Sequence, residues 1–255
     1  MTPTYSPKEM MICLAARQMC DGTTAFIGVG VPMLAAALAM RTVAPNLVPI
    51  FEFGGTGALL KRLPRAVGEA RTFHRALAAT GICDIMETAA RGFIDYGFLG
   101  AAQMAPYGNV NTTVIGDHDH PSVRLPGSGG ANDVGSLCWV TIIILPHERR
   151  RFVPRLDFLT TPGYLSGPNA RKAAGLPERT GPIRVISTLA LMGFDRASGR
   201  MMLLATHPGV TIEEVLDNTG FDLVIPPEGV GVNAPPTAEE LRILREEVDP
   251  ERIYL

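Results

Sequence analysis

A single carboxylate, Glu52, lies between an apolar segment and a cluster of glycines. Residues 47–53 are mostly Leu, Val, Ile and Phe, which favour a buried strand, and Gly54, Gly55 and Gly57 follow them. Burying a carboxylate without a partner is costly, so a glutamate in this position is usually exposed, paired or used in chemistry. The glycines allow positive φ angles and leave room for a ligand. Glu52 is therefore a candidate nucleophile, and a strand-end glutamate that points into water is the alternative.

Two further glycine-rich loops follow strand-like segments, one at Gly28 and Gly30 and one at residues 127–132. In open α/β sheets, ligands bind beyond the carboxyl ends of the strands. We therefore expect these loops to meet the Glu52 loop at one site, although each of them could also be an ordinary turn. The first loop precedes a helix and could hold an anion, but it lacks the full GxGxxG spacing of a dinucleotide site.

Backbone and side-chain amides supply candidate hydrogen-bond donors for such a site. Gly129, Gly130 and Ala131 are consecutive small residues, and exposed backbone N–H groups of this kind can stabilise a developing oxyanion. Asn111 lies in a polar turn, where its side-chain amide could donate to a carbonyl oxygen. Capping the backbone is the more common role of a turn asparagine. Both roles stay open at the level of the sequence.

The positions of the histidines and serines indicate neither a metal site nor a serine hydrolase. His118 and His120 flank an aspartate and would share one face of a strand, but no third ligand is suggested nearby, so we expect no metal site. His74 and His147 are expected at the surface. The GxSxG motif does not occur in the sequence, which argues against a serine hydrolase.

Length and composition bound the remaining possibilities. With 255 residues, of which 46% are hydrophobic, the chain can bury a large core, and we expect one domain over residues 1–255. The 23 basic and 25 acidic residues nearly balance, which argues against nucleic-acid binding. Four dispersed cysteines are typical of reduced thiols. Residues 1–10 lack the pattern of a signal peptide, and no segment has the roughly 18 apolar residues of a membrane span, so we expect a cytoplasmic protein.

The order of predicted elements indicates an α/β fold. Ser6, Pro7 and Glu9 form a capping-box start for a helix, and helices then alternate with strands. Strand-like segments dominate the second half, and the most apolar of them covers residues 140–145. We therefore expect a mixed, largely parallel open sheet with flanking helices. The long Pro- and Gly-rich loop at residues 161–181 is expected to be functional or to form an interface.

Several segments in order resemble the family I CoA-transferases, and among these the B (or β) subunit of the glutaconate CoA-transferase type. The resemblance covers nearly the whole chain, and its most specific motifs are those at residues 106–112 and 127–132. The matching segments are YSPKEM (5–10), GVGVP (28–32), APN (44–46), EFG (52–54), AQMAPYGNVNT (102–112), IGD (115–117), HP (120–121), GSGGAN (127–132), HERRRF (147–152) and NTGFDL (218–223).

The resemblance implies a mechanism and a partner. The family's β subunit carries its catalytic glutamate in an E-(S/N)-G motif, and Glu52 stands at the matching position. The resemblance implies that this carboxylate attacks an acyl-CoA thioester and then carries CoA as a glutamyl-CoA thioester. It also implies that Asn111 and the backbone amides of Gly130 and Ala131 hold the thioester oxygen or CoA. A homologous, separately coded α subunit is implied as well, with the active site at the interface of the hetero-oligomer. CoA is a substrate there, and no metal or redox cofactor is required.

Phe53 is a departure from the family pattern, which has Ser or Asn at this position. Its ring would reshape the substrate pocket expected beside Gly54, Gly28 and Gly30. We carry three hypotheses: transfer of CoA to glutaconate or a related short dicarboxylate, hydrolysis or decarboxylation of an acyl-CoA with the glutamate as base, and a non-catalytic binding subunit. The retention of Glu52 favours the transferase.

Overall fold

The computed structural model describes residues 4–255, and the chain divides into two compact units. Unit 1 combines the chain up to Phe98 with residues 235–255, and unit 2 runs from Leu99 to Ala234. This division does not test whether the units unfold together, so the single domain predicted over residues 1–255 stays a prediction. Residues 1–3, part of the segment expected to lack a signal peptide, lie outside the described residues.

The elements of the described chain follow the expected alternation in the first half. The helices are α1 (Pro7–Ala16), α2 (Val31–Ala39), α3 (Ile82–Ala90), α4 (Ala131–Leu137), α5 (Ala170–Ala173), α6 (Ile212–Asp217) and α7 (Ala238–Arg242). The strands are β1 (Thr24–Phe26), β2 (Val48–Ile50), β3 (Gly55–Thr56), β4 (Ala78–Ala79), β5 (Tyr96–Leu99), β6 (Gln103–Met104), β7 (Val110–Asn111), β8 (Val114–Gly116), β9 (Pro121–Arg124), β10 (Val140–Leu145), β11 (Pro182–Ser187), β12 (Ala190–Phe194), β13 (Met201–Thr206) and β14 (Gly231–Val232).

Unit 1 is built on short parallel strands covered by helices. Strand β1 pairs in parallel with β2 and with β5, and β3 and β4 extend this sheet in antiparallel fashion. Helix α1 begins with the predicted capping box, in which Ser6 accepts from the Glu9 N–H and the Glu9 side chain accepts from the Ser6 N–H. Glu9 also pairs with Arg245 at 2.6 Å, which ties α1 to the π-helical turn Ile243–Val248.

Unit 2 is built on longer strands. β10 is almost entirely apolar and pairs in parallel with β11, which confirms the strand predicted at residues 140–145. β12 and β13 continue the sheet as antiparallel neighbours, and β14 pairs in parallel with β13. Two small hairpins, β6–β7 and β8–β9, carry the polar motif predicted near Asn111. The fold is therefore the mixed, largely parallel open α/β sheet with flanking helices that the sequence predicts.

Candidate active site

Glu52 lies in a tight turn between β2 and β3. The Gly54 N–H donates to the Phe51 carbonyl oxygen at 2.9 Å, and the Phe51 N–H donates to the Gly55 carbonyl oxygen at 2.8 Å. Glu52 and Phe53 therefore occupy the two central positions of a β-turn. The strand predicted over residues 47–53 is shorter than expected, so the glutamate is held by a turn instead of by a strand end. Its side chain is half-buried.

The glycines after Glu52 allow the backbone to pack closely. Gly54 has φ +113°, and a Cβ atom there would collide with the carbonyl oxygen of Thr80. A Cβ atom at Gly55 would collide in the same way with the carbonyl oxygen of Thr72. The Thr80 N–H in turn donates to the Gly54 carbonyl oxygen at 3.1 Å. The side of Gly54 on which a Cβ atom would stand is therefore filled by the chain itself.

Gly28 and Gly30 lie at the same sheet edge as the Glu52 turn. Strands β1 and β2 run in parallel, and the Ile27 N–H donates to the Ile50 carbonyl oxygen at 2.9 Å, directly before both loops begin. A Cβ atom built at either glycine would meet nothing within 4 Å. Two of the three predicted loops thus converge within unit 1, and open space adjoins the first of them.

Phe53 is partly exposed, at 44% of its surface, and one side of its ring lies against Gly68. A Cβ atom at Gly68 would lie 3.3 Å from that ring. The bulky residue at the position where the family has Ser or Asn is thus accommodated by a glycine in the segment that connects β3 to β4.

Asn111 is fully buried and acts as an internal cap. Its Nδ2 donates to Gln103 Oε1 at 2.8 Å and to the Val114 carbonyl oxygen at 2.6 Å, while its Oδ1 accepts from the Thr113 N–H at 2.9 Å. Both amide hydrogens are therefore used in hydrogen bonds inside unit 2. The structure thus favours the capping role that the sequence left open.

The glycine-rich loop at residues 127–132 is anchored to the Asn111 segment. The Thr112 hydroxyl donates to the Gly127 carbonyl oxygen at 2.8 Å. At the other end of the loop, the Ala131 N–H donates to the Ser128 carbonyl oxygen at 2.9 Å, so a ligand would have to displace this bond. Gly129 is exposed and has φ +47°, and Gly130 is buried as the N-cap of α4.

Arg171 holds α4 and the long loop together, a role that the sequence analysis missed. The side chain is only 7% exposed, and its guanidinium donates to several acceptors of both segments. These acceptors are the carbonyl oxygens of Pro162, Gly163, Gly135 and Ser136 and the hydroxyl oxygen of Thr180. The loop predicted at residues 161–181 is thus a packed structural element that includes α5.

Asn109, which belongs to the motif at residues 106–112, also holds the long loop at residues 161–181 in place. Its Oδ1 accepts from the N–H groups of Gly163 and Leu165 at 2.8 and 3.0 Å, and its Nδ2 donates to the Leu165 carbonyl oxygen at 2.8 Å. The motif at residues 106–112 is therefore hydrogen-bonded to two loops of unit 2, to the long loop through Asn109 and to the glycine-rich loop through Thr112. The turn chemistry of this segment was visible in the sequence, but its distant partners were not.

His147 is buried, so its predicted surface position is wrong. Its ring stacks on Phe152 at 4.2 Å between centroids, Nδ1 lies 2.8 Å from Ser187 Oγ, and Nε2 lies 3.0 Å from Thr219 Oγ1. Burial, with a smaller contribution from neighbouring His207, lowers the pKa of His147 to about 4. The charged run that follows His147 in the sequence suggested exposure, but Ser187 and Thr219 supply partners for both ring nitrogens in the interior.

The other histidines of the sequence analysis lie at the surface. His74 is exposed, as predicted, and so are His118 and His120. His118 Nδ1 lies 3.2 Å from Asp119 Oδ1, and its ring stacks on Phe158. Among residues 4–255, no group of three or more His, Cys, Asp or Glu side chains is placed to hold a metal ion.

Comparison with known proteins decides the family. The family model described as Coenzyme A transferase matches residues 8–218. The chain belongs to the coenzyme A transferase family. It is 41% identical to the B subunit of the 3-oxoadipate CoA-transferase of Pseudomonas knackmussii, over 94% of this chain and 92% of the relative. It is 37% identical to the B subunit of the glutaconate CoA-transferase of Acidaminococcus fermentans, over 98% of this chain and 95% of the relative.

Solved structures agree with this assignment. The glutaconate coenzyme A-transferase of Acidaminococcus fermentans matches with a TM-score of 0.94 and 34% identity, covering 100% of this chain and 98% of that chain. The decarboxylase AibA/AibB matches with a TM-score of 0.83 and 27% identity, covering 98% of each chain. Because its close relatives are named as the B subunits of CoA-transferases, this chain is a B subunit of that enzyme class, CoA is a substrate of its enzyme, and a partner subunit is implied.

Among residues 4–255, no helix is both long and apolar enough to cross a membrane.

Proposed function

We propose that this chain is the catalytic B subunit of an enzyme that moves CoA between an acyl-CoA and a short dicarboxylic acid through a glutamyl-CoA thioester on Glu52. The observation that carries the proposal is the position of this carboxylate. It is half-buried in a tight turn, at the sheet edge where the Gly28 and Gly30 loop leaves open space. A nucleophile in this place can be sheltered from water and still be approached by a substrate.

The proposed reaction passes through two covalent intermediates on the Glu52 carboxylate, a mixed anhydride and then a glutamyl-CoA thioester. A Glu52 carboxylate oxygen attacks the thioester carbonyl carbon, and the C–S bond breaks to give a mixed anhydride and CoA thiolate. The thiolate then attacks the glutamyl carbonyl, which releases the first carboxylic acid and forms the glutamyl-CoA thioester. The second acid reverses these two steps and leaves as its CoA ester. The energy of the thioester is conserved only if water is excluded throughout.

The names of the relatives support the class of acid. Glutaconate and 3-oxoadipate each carry two carboxylates, so a short dicarboxylate is the proposed acid here. The proposed partner is a homologous α subunit that completes the active site in a cytoplasmic hetero-oligomer. The proposed share of the substrate pocket on this chain is lined by Gly28, Gly30, Phe53 and Gly54.

Fewer residues are proposed to contact the thioester oxygen or CoA than the sequence suggested. Asn111 donates both of its amide hydrogens internally, and Ala131 donates its N–H to Ser128. We therefore assign these two residues to holding the loop in shape, and propose that the exposed backbone at Gly129 contacts the thioester oxygen or the CoA of the substrate. Hydrogen bonds aimed at that oxygen are worth about 2.7–4 kcal/mol each in related acyl-transfer chemistry.

Decarboxylation or hydrolysis of an acyl-CoA is the second candidate. The similarity to the decarboxylase AibA/AibB supports it, and so does the ring of Phe53 at a position where the sequence resemblance implies Ser or Asn. In that case Glu52 would act as a base, with no covalent intermediate. A non-catalytic binding subunit, in which Glu52 is structural, is the third candidate.

Steady-state assays of the co-purified two-subunit enzyme separate these candidates. We expect CoA transfer from glutaconyl-CoA or 3-oxoadipyl-CoA to acetate, with only slow release of CoA thiol when the acceptor is omitted. Glu52→Gln should lower kcat at least about a thousandfold, since a nucleophile is lost, while the subunits still assemble. Rapid thiol release without an acceptor would support the second candidate, and full activity of Glu52→Gln would support the third.

A further inference from the structure

The segment between β3 and β4 is strongly basic. Outside this segment, acidic residues outnumber basic ones, since the whole chain has a net charge of −2. Within residues 61–75, a single acidic residue, Glu69, stands among five basic ones. The basic residues are Lys61, Arg62, Arg65, Arg71 and Arg75.

A cavity of about 430 Å³ opens on this segment, and we call it the basic pocket. The side chains that line it combine apolar surface with positive charge, and its volume suits a nucleotide-sized ligand. Its lining consists of Leu59, Lys61, Arg62, Ala70, Arg71 and His74. Alkyl stems and small apolar residues can contact a flat base, while the cationic ends can contact phosphate groups.

The charges around the basic pocket are incompletely neutralised. Arg71 pairs with Glu69 at 3.0 Å and donates to the Leu63 carbonyl oxygen at 3.1 Å. Within residues 4–255, neither Lys61 nor Arg62 has a carboxylate within ion-pair distance, and both are exposed. A cluster of like charges beside a cavity raises the local concentration of anions, and a bound anion would relieve the repulsion.

The basic pocket is built on the same turn as the candidate nucleophile. The Phe53 ring lies against Gly68, and the Thr72 carbonyl oxygen lies against Gly55, so the basic segment contacts the Glu52 turn on both sides. Thr72 is fully buried, and its hydroxyl donates to the Glu69 carbonyl oxygen at 2.7 Å. The basic segment is therefore held to the turn by packing and does not project freely from it.

We propose that the basic pocket binds the adenosine-phosphate end of acyl-CoA. CoA carries a diphosphate and a 3′-phosphate at the end opposite its sulfur atom, and the basic segment packs against the Glu52 turn, so one extended acyl-CoA could contact both the pocket and the carboxylate. Binding energy from such a remote group holds acyl-CoA on the enzyme equally in the ground state and in the transition state, so its loss raises KM and leaves kcat unchanged. This inference rests on the proposed function for its ligand, but its test does not require CoA transfer.

The test is calorimetric binding of adenosine 3′,5′-bisphosphate to the assembled enzyme. A double variant, Lys61→Gln with Arg62→Gln, removes the two unpaired charges of the basic pocket. The matched control is Lys8→Gln with Arg91→Gln, which removes two exposed charges of unit 1 outside the pocket. We expect the pocket variant to bind at least about tenfold more weakly and the control to bind as the wild type does.

Kinetics add a second readout. In the pocket variant, KM for acyl-CoA should rise by a factor similar to the loss of bisphosphate affinity, while kcat stays within about twofold. With an acyl-dephospho-CoA, which lacks the 3′-phosphate, the difference in KM between wild type and variant should shrink. A normal kcat also shows that the variant folds and assembles.

Three outcomes would overturn the inference. Unchanged bisphosphate binding in the pocket variant would place the nucleotide elsewhere, and the proposed transferase would stand. Equal affinity for inorganic pyrophosphate would reduce the pocket to a general anion site. Loss of subunit assembly in the pocket variant alone would make it a docking surface for the partner. If transfer is absent while bisphosphate binding still depends on Lys61 and Arg62, the proposed function fails and the nucleotide site remains.

Discussion

Thr112 and Gly127 exchange two hydrogen bonds. The Thr112 hydroxyl donates to the Gly127 carbonyl oxygen at 2.8 Å, and the Gly127 N–H donates back to the Thr112 carbonyl oxygen at 2.9 Å. This reciprocal pair ties the glycine-rich loop to the family motif at residues 106–112. The loop can therefore present Gly129 in a fixed orientation, although it has few side chains of its own to pack.

Thr112→Val tests this relationship with a nearly isosteric change. It removes one donor and leaves the Gly127 carbonyl oxygen short of a partner, so the free energy of unfolding should fall by about 1–3 kcal/mol. If the loop positions the thioester oxygen, kcat should fall by about tenfold or more while Glu52 remains reactive. Thr88→Val, which removes an exposed hydroxyl-to-carbonyl bond on α3, is the control and should change neither quantity appreciably. An unchanged kcat in Thr112→Val would show that the glycine-rich loop does not position the thioester oxygen.

Gly54→Ala and Gly28→Ala distinguish a packing glycine from a pocket glycine. At Gly54, alanine would clash with the Thr80 carbonyl oxygen and would adopt an unfavourable positive φ, so we expect a loss of several kcal/mol in stability. At Gly28, the added methyl group meets open space and folding should be unaffected. If Gly28 lines the substrate pocket, the same change should raise KM, and equal destabilisation by both variants would contradict this assignment.

Arg171→Met tests the link between α4 and the long loop. Methionine fills similar volume but leaves several buried carbonyl oxygens without donors, so stability should fall by about 3 kcal/mol or more. Amide hydrogen exchange should accelerate in residues 131–137 and 161–181 before the rest of unit 2. The control is Lys172→Met at the exposed neighbour, whose ion pair with Glu178 lies at the surface, and it should change stability by less than about 1 kcal/mol.

The buried imidazole of His147 predicts acid sensitivity. The pKa of His147 is about 4 in the folded protein because burial disfavours its charged form, and it is near 6.5 when the chain is unfolded. Between pH 4 and 6.5 the unfolded state therefore binds more protons than the folded state. The free energy of unfolding is highest above about pH 6.5 and falls as the pH is lowered towards 4. The loss should reach about 3 kcal/mol.

Urea unfolding at pH 7.0 and 4.5 measures this effect. His147→Gln keeps polar atoms near Ser187 and Thr219 without a titrating ring, so its stability should depend less on pH than that of the wild type. His74→Gln, at the surface, should leave the pH dependence unchanged. An identical pH dependence in all three proteins would contradict the assignment to His147.

Local sequence signals predicted those features of the fold that depend on neighbouring residues. The capping box of Ser6 and Glu9 forms within one helical turn, and the apolar composition of residues 140–145 is sufficient to specify β10. Glycine loops after β1 and β2 were also visible, because turn residues act locally. Together with the family motifs, these signals were enough to predict the α/β class and the candidate nucleophile.

Features that depend on distant partners could not be predicted. Asn111 was readable as a cap or a donor, and the choice depended on Gln103, its partner across the β6–β7 hairpin. His147 is buried because Ser187 and Thr219, 40 and 72 residues away along the chain, accommodate its ring nitrogens. Helix α4 was missed because its sequence has weak helix propensity, and Arg171 compensates by binding the carbonyl oxygens near its end.

The most direct test of the account is the chemical state of Glu52 during turnover. The assembled enzyme would be incubated with acyl-CoA, treated with borohydride, digested and analysed by mass spectrometry, with Glu52→Gln as the control. We predict that the peptide containing Glu52 is reduced to the alcohol only after exposure to acyl-CoA, together with loss of activity. An unmodified Glu52 peptide in an enzyme that is actively transferring CoA would contradict the glutamyl-CoA intermediate.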